Sequence, residues 1–217
     1  SSSSSSGSGS GFGDTYKQYN GDGDTSQGWP SQSDWVNFED MWTANMAYIS
    51  ISCTEFGQAN NSPQESADVK SAIQSIASQS GVDERFILAI MMQESKGCVR
   101  APTTNYGVTN PGLMQSHDGS GTCNSGSDVQ NPCPQSEITQ MIKDGTEGTS
   151  SGAGLEQCIQ QTGASDVSKY YKAARIYNSG SIPSSGDLGA PGATPCYASD
   201  IANRLTGWVK AQDTCTL

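Results

Sequence analysis

The sequence predicts a mainly α fold, and three observations carry that prediction. Apolar residues recur at three- and four-residue steps in one segment after another, the spacing of amphipathic helices. Convincing period-two alternation, the mark of half-buried strands, is not found, and there is no internal repeat. One segment, Phe86 to Met92, is apolar at seven consecutive positions, which suits a helix buried on every side and is too short to cross a bilayer.

Taken in order, the chain opens with residues 1–13, rich in Ser and Gly, the composition of a flexible linker. Gly21-Asp22-Gly23-Asp24 and Gly28-Trp29-Pro30-Ser31 read as turns. A helix is expected over residues 35–52, where Trp35, Phe38, Met41, Trp42, Met46 and Ile49 fall at helical steps. Phe38 and Trp42 are assigned to its core face, whereas Trp29, held in a turn, is the better candidate to stack on a sugar ring. Residues 54–63 read as loop, and a second helix spans residues 64–80 with Val69, Ile73, Ile76 and Ala77 as its apolar stripe.

The buried helix follows. Asp83 is a good N-cap, Glu84 suits the first turn, and Gly97 is a C′ stop with Lys96 beside it. Its unusual residue is Glu94, on faces that are otherwise apolar and close to the negative end of the helix dipole. Both features disfavour the carboxylate, which is how a carboxyl group is kept protonated to serve as a general acid. The competing reading is a glutamate near a helix end that turns to water. Residues 98–133 are then rich in Gly, Asn, Thr, Ser and Pro, a length of irregular chain that is usually functional or cross-linked. Further helices are expected over residues 137–143, 154–161, 166–178 and 197–210, with a Gly/Pro/Ser-rich loop over residues 181–195.

Composition bounds the function. A net charge of −11 and a pI near 4.3 argue against nucleic acid and anionic membranes as partners, and are a handicap for approaching an anionic cell wall. Seven cysteines spread from Cys53 to Cys215 suit an oxidised, secreted protein, and the odd count leaves one thiol over. Cys123–Cys133 and Cys196–Cys215 are the expected pairs, with Cys158, inside a helix pattern, as the unpaired one. Zinc-ligand spacings are absent and His117 is the single histidine, so neither a metal nor another cofactor is expected. No leader or apolar spanning run is present, and the opening serine reads as a mature or trimmed form.

Three short motifs stand in order along the second half of this pattern: Glu94-Ser95-x-Gly97, Gly112-Leu113-Met114-Gln115, and Ala174-x-x-Tyr177-Asn178-x-Gly180. Together they resemble glycoside hydrolase family 23, the goose-type lysozymes and soluble lytic transglycosylases, with the cysteines and acidic charge of its secreted fungal members. The resemblance covers roughly residues 66–209. It implies a lysozyme-like (goose-type) domain with disulfide-stapled loops, so that residues 1–13 are linker, 14–63 an N-terminal extension packing on the catalytic domain, and 64–217 that domain.

The roles it implies are specific. Glu94 matches the general acid that protonates the glycosidic oxygen. Met114 and Gln115 match the strip facing acetamido sugars, Tyr177 the tyrosine that holds the acid, and Asn178 its neighbour in the cleft. Ser95 joins the substrate-binding set, through its backbone. An inverting hydrolase also needs a second carboxylate to activate water, roughly 6.5–9.5 Å from the acid. No carboxylate lies between Ser95 and His117, where the family places its first aspartate. Asp118, one residue later than the pattern expects, is the candidate for the second, against its reading as an exposed loop aspartate; Glu55 is a further option. The implied activity is a secreted, monomeric muramidase acting on peptidoglycan. Chitin cleavage, lytic transglycosylation and a catalytically silent sugar-binding module are the alternatives.

Overall fold

A computed structural model describes residues 11–217. Among them the chain is mainly helical: α1 (Phe38–Ile49), α2 (Pro63–Ser80), α3 (Glu84–Ser95), α4 (Gln135–Glu147), α5 (Leu155–Thr162), α6 (Ser168–Ser179) and α7 (Tyr197–Thr206). The sheet is one antiparallel hairpin of β1 (Thr104–Asn105) and β2 (Thr109–Asn110), too short for alternation to show in sequence. None of the described helices is long and apolar enough to cross a membrane. Three disulfides join Cys53–Cys98, Cys123–Cys133 and Cys196–Cys215, and Cys158 is buried and unpaired. Burial pushes the Cys158 thiol up to about 12, so it is packing rather than chemistry.

The chain divides into two compact units. The first comprises Asn45–Gln161. Its α2 begins on a reciprocal cap, in which Ser62 Oγ accepts from Glu65 N (3.1 Å) and Glu65 Oε1 accepts from Ser62 N (2.7 Å), with Pro63 in the first turn. Val69, Ala72, Ile73 and Ile76 are buried, and α2 packs on α4 and α3. Helix α3 is capped by Asp83, which accepts from Arg85 N at 2.9 Å and pairs with the Arg85 guanidinium at 2.7 Å. Phe86 to Met92 are all buried, as seven consecutive apolar residues demand. The helix ends one residue sooner than its glycine suggests, because Lys96 itself takes the left-handed conformation (φ 55°).

The turn after α3 is held by the segment before α2. Besides Cys53–Cys98, the buried Asn61 side chain donates to Gly97 O (2.7 Å) and accepts from Val99 N (3.1 Å). Arg100, fully buried, donates to Ala59 O (2.9 Å), Asn60 O (2.7 Å) and the Glu65 carboxylate. Burial pushes the Glu65 carboxyl up, but Arg100 and the Ser62 and Cys133 amides outweigh it and hold the group below the usual carboxylate range.

The second unit comprises residues 11–44 with Thr162–Leu217, α1 and α5 each crossing the division. Here α6 packs on α7, and the N-terminal segment runs along α7 as a strap. Phe12 N donates to Thr206 O (2.7 Å), Tyr16 OH to Asp200 Oδ1 (2.6 Å), Lys17 N to Asn203 Oδ1 (2.8 Å) and Tyr19 N to Ser199 Oγ (3.0 Å). Residues 11–13, which composition assigns to the linker, are thus tied to the fold, while residues 1–10 of that linker lie outside the described residues.

Several helix bounds differ from the sequence reading, α4 among them at Gln135–Glu147 against the expected 137–143, and at two of them the local reason is plain. The expected helix over residues 35–52 starts only at Phe38, because Ser31 and Asp34 close a separate 3-10 turn and Asn37 then caps α1 by accepting from Asp40 N (2.9 Å). The expected helix over residues 197–210 stops at Thr206, because the Asp14 carboxylate collects the amides of Val209 (2.7 Å), Lys210 (2.8 Å) and Ala211 (3.0 Å). Trp29 is no sugar contact: it is 3% exposed, lies between the Tyr19 ring (5.3 Å) and the Tyr171 ring (4.9 Å), and donates through Nε1 to Asn20 O (2.8 Å).

Candidate active site

Glu94 stands in the last turn of α3, the half-buried end of an otherwise buried helix. The residue after it decides what that end touches. Ser95 is fully buried, and its Oγ lies 2.6 Å from Leu113 O and 3.3 Å from Met91 O. A hydroxyl has one proton to give, and the shorter contact takes it. The Glu94 helix end is thereby fastened to the Gly112–Gln115 step across 18 positions of sequence. The serine does this through its side chain, not its backbone, and being buried it supports the site from within.

The Gly112–Gln115 step is a tight turn. Gly112 has φ 81°, and a Cβ there would lie 2.7 Å from Met141 Cγ, so a side chain is barred by both conformation and space. Leu113 and Met114 are fully buried. Met114 packs against Gly145 of α4, where a Cβ would meet its Cβ at 2.5 Å, and its sulfur accepts from Thr146 Oγ1 at 3.8 Å. Met114 is therefore the inner side of the strip. Gln115 is the partly exposed member, in a left-handed conformation (φ 47°). Its Nε2 donates to Gly112 O (2.9 Å) and its Oε1 accepts from Thr104 Oγ1 (2.8 Å), which joins the strip to β1.

Asp118 is exposed and also left-handed (φ 50°), a conformation aspartate tolerates better than most residues. Its N donates to Thr109 O (2.8 Å) and its Oδ1 accepts from Thr109 Oγ1 (3.0 Å), so β2 fixes where it sits. Glu55 comes to the same helix end from the other side: its Oε2 lies 2.6 Å from Lys96 Nζ, two residues beyond Glu94, in a solvent-exposed pair. Such exposed pairs contribute little stability.

One residue of this region escapes sequence reasoning. Asp144 of α4 is 6% exposed, and its Oδ2 accepts from Ser120 N (2.7 Å) and Gly121 N (2.9 Å) while Oδ1 accepts from Gln140 Nε2 (2.6 Å). It pins the loop that follows Asp118. Its place on an amphipathic helix gives no hint of this, because its loop partners are backbone amides 24 and 23 positions away.

Tyr177 and Asn178 belong to the other unit, in the last turn of α6, both half-buried. Asn178 Oδ1 accepts from Thr194 N at 3.2 Å. The loop beyond is held by the buried Arg175, whose Nη1 donates to Leu188 O and Ala190 O at 3.0 Å each.

What the first unit joins, through Ser95, is the Glu94 end of an apolar helix and the Gly112–Gln115 step with its amide and hydroxyl groups. Residues 101–116, which form the strip and hairpin, carry no charged side chain in a chain of net charge −11. That suits a neutral, hydroxylated ligand rather than an ion. Among the described residues no group of three or more His, Cys, Asp or Glu side chains is arranged to hold a metal ion. No family model matches the chain, and no curated protein or solved structure matches it.

Proposed function

We propose that this chain is a secreted glycosidase of lysozyme-like fold that cleaves β-1,4 bonds between N-acetylmuramic acid and N-acetylglucosamine in bacterial peptidoglycan, with Glu94 as general acid. The observation that carries the reading is the 2.6 Å hydrogen bond from Ser95 to Leu113, which joins two motifs of the family 23 resemblance into one locus beside Glu94. In this reading protonated Glu94 gives its proton to the glycosidic oxygen as the C1–O bond breaks, and the leaving sugar departs as an alcohol. Water then adds to C1 and passes a proton to a carboxylate, for which Asp118 leads and Glu55 follows. The roles of Tyr177 and Asn178 rest on the resemblance alone. The three disulfides, typical of extracellular proteins, support secretion.

A second reading is favoured by one observation: Asp118 and Glu55 are each engaged, with Thr109 and Lys96. A lytic transglycosylase needs no base for water, since the sugar's own hydroxyl attacks C1. Clearing of a bacterial cell-wall suspension tests the proposal. Glu94→Gln keeps the side chain's shape and removes its proton, and is expected to slow clearing by ~10²–10⁴ while leaving the fold intact. Clearing at the parent rate overturns the acid assignment. Asp118→Asn then separates the two readings, with reducing ends lost in a hydrolase and anhydro ends retained in a transglycosylase.

A further inference from the structure

Tyr106 is the most exposed of the large hydrophobic side chains among the described residues, at 88%. A lone surface aromatic needs no explanation by itself. This one stands at the tip of a built arm. β1 and β2 pair Thr104 with Asn110 and Asn105 with Thr109, leaving Tyr106-Gly107-Val108 as the turn. Gly107 takes φ 93° and donates its N–H to Asn105 Oδ1 (3.0 Å), and Tyr106 N donates to Val108 O (3.3 Å). An isolated two-stranded hairpin is marginal in water. Here both strands are stitched at the base, β1 through Thr104 to Gln115 (2.8 Å) and β2 through Thr109 to Asp118 by two bonds (2.8 and 3.0 Å). The ring therefore stands out in solvent on an arm whose foot is the strip beside Glu94.

The chemistry of the arm is also specific. From residue 101 to 116 it offers Thr, Asn and Gln side chains and no charge. An aromatic face flanked by neutral donors and acceptors matches a pyranose ring, which shows C–H groups on one face and hydroxyl or acetamido groups at its edge. We propose that Tyr106 is a saccharide-binding residue, stacking on a ring of a β-1,4-linked N-acetylhexosamine chain that continues outward from the strip. This rests on the glycan reading above.

The test uses the full chain carrying Glu94→Gln, so that binding is measured without cleavage, titrated calorimetrically with the β-1,4-linked tetramer of N-acetylglucosamine. Adding Tyr106→Ala is expected to weaken binding about five- to tenfold, whereas adding Tyr106→Trp, which keeps an aromatic face, stays within about twofold. In the active chain Tyr106→Ala should raise KM more than it lowers kcat. Equal binding with and without the Tyr106 ring overturns the assignment and leaves the glycosidase reading standing. No binding of the tetramer even before Tyr106 is changed, together with none of a peptidoglycan fragment, overturns both.

Discussion

Residues 45–161 gather around one apolar helix, and their ties are local: a disulfide over 10 positions, another over 45, and an Arg100–Glu65 pair 35 apart. Residues 11–44 and 162–217 instead meet across as many as 198 positions of chain, along a strap of hydrogen bonds and a cluster of aromatic rings. Closing a long loop costs only slightly more entropy than closing a medium one, so distance does not forbid the second design. It does mean that such a unit relies on specific polar contacts to fix register. The first unit can lean on burial, and its polar groups are needed where charge has gone inside.

The comparison breaks most severely at Arg100. Removing its guanidinium leaves Glu65 buried beside Ala59 and Asn60 carbonyls that lose their donors. Arg100→Met should lower the stability of the first unit by about 3–5 kcal/mol, read from urea denaturation. A loss under about 1 kcal/mol would show that the pair is dispensable and that burial alone holds the unit. The same pair sets an acid limit. Because Glu65 is held below its ordinary range, its contribution is fully present above that range and is lost as pH falls through the depressed folded value. Denaturation midpoints followed downward from pH 5 should therefore fall, and fall less steeply in Glu65→Gln.

Next in size is Tyr171, the polar centre of the aromatic cluster. Its hydroxyl accepts from Trp35 Nε1 (3.0 Å) and donates to Pro30 O (2.7 Å), all buried. Tyr171→Phe keeps the ring and leaves a buried donor and acceptor unmet, at a cost of about 1–3 kcal/mol. Ser95→Ala removes a comparable bond in the first unit and should cost about 1–2 kcal/mol. If that bond holds the strip to the Glu94 helix end, the variant should also lose cell-wall clearing at temperatures where circular dichroism still reports a folded protein. Full clearing by a folded Ser95→Ala would make the bond merely structural.

The two units also differ in how far the sequence reveals them. Helices α2 and α3 are legible because their signals are local: the Val69, Ile73, Ile76 and Ala77 stripe in one, and Asp83 followed by the unbroken apolar run from Phe86 to Met92 in the other. The Ser62–Glu65 cap that starts α2 at Pro63, by contrast, lies in what composition reads as loop. The disulfides Cys123–Cys133 and Cys196–Cys215 are legible for the same reason of proximity. At the candidate site, Glu94 and the Gly112–Gln115 step stand out as motifs. That Met114 turns inward does not, since the space it fills is made by Gly145 on another helix. Trp29 misleads because a turn suggests exposure, while Tyr19 and Tyr171, 10 positions before and 142 after it, cover both its faces. The strap is invisible to any periodicity, because its ties run from backbone amides and the Tyr16 hydroxyl to polar side chains and a carbonyl on α7.

The smallest effect expected is at Asp14, and it probes that strap directly. Burial pushes the carboxyl up, but the amides of Ala211, Val209 and Lys210 and the Lys210 charge together outweigh it and hold it below its ordinary range. An exposed acceptor of three amides is a latch, worth too little to decide global stability but enough to decide local opening. Asp14→Ala should leave the denaturation midpoint nearly unchanged while raising hydrogen exchange at Val209, Lys210 and Ala211 about three- to tenfold, the equivalent of roughly 1 kcal/mol of local protection. Acid should mimic the substitution. The latch is intact above the ordinary carboxylate range and loosens as pH falls through the depressed value, so protection at these three amides, corrected for the intrinsic pH dependence of exchange, should drop before α7 itself opens. If Asp14→Ala instead exposes the α7 amides together with these three, the strap and helix open as one unit. The contrast drawn above, between a burial-led half and a latch-led half, would then have to be redrawn with the strap counted as part of the core.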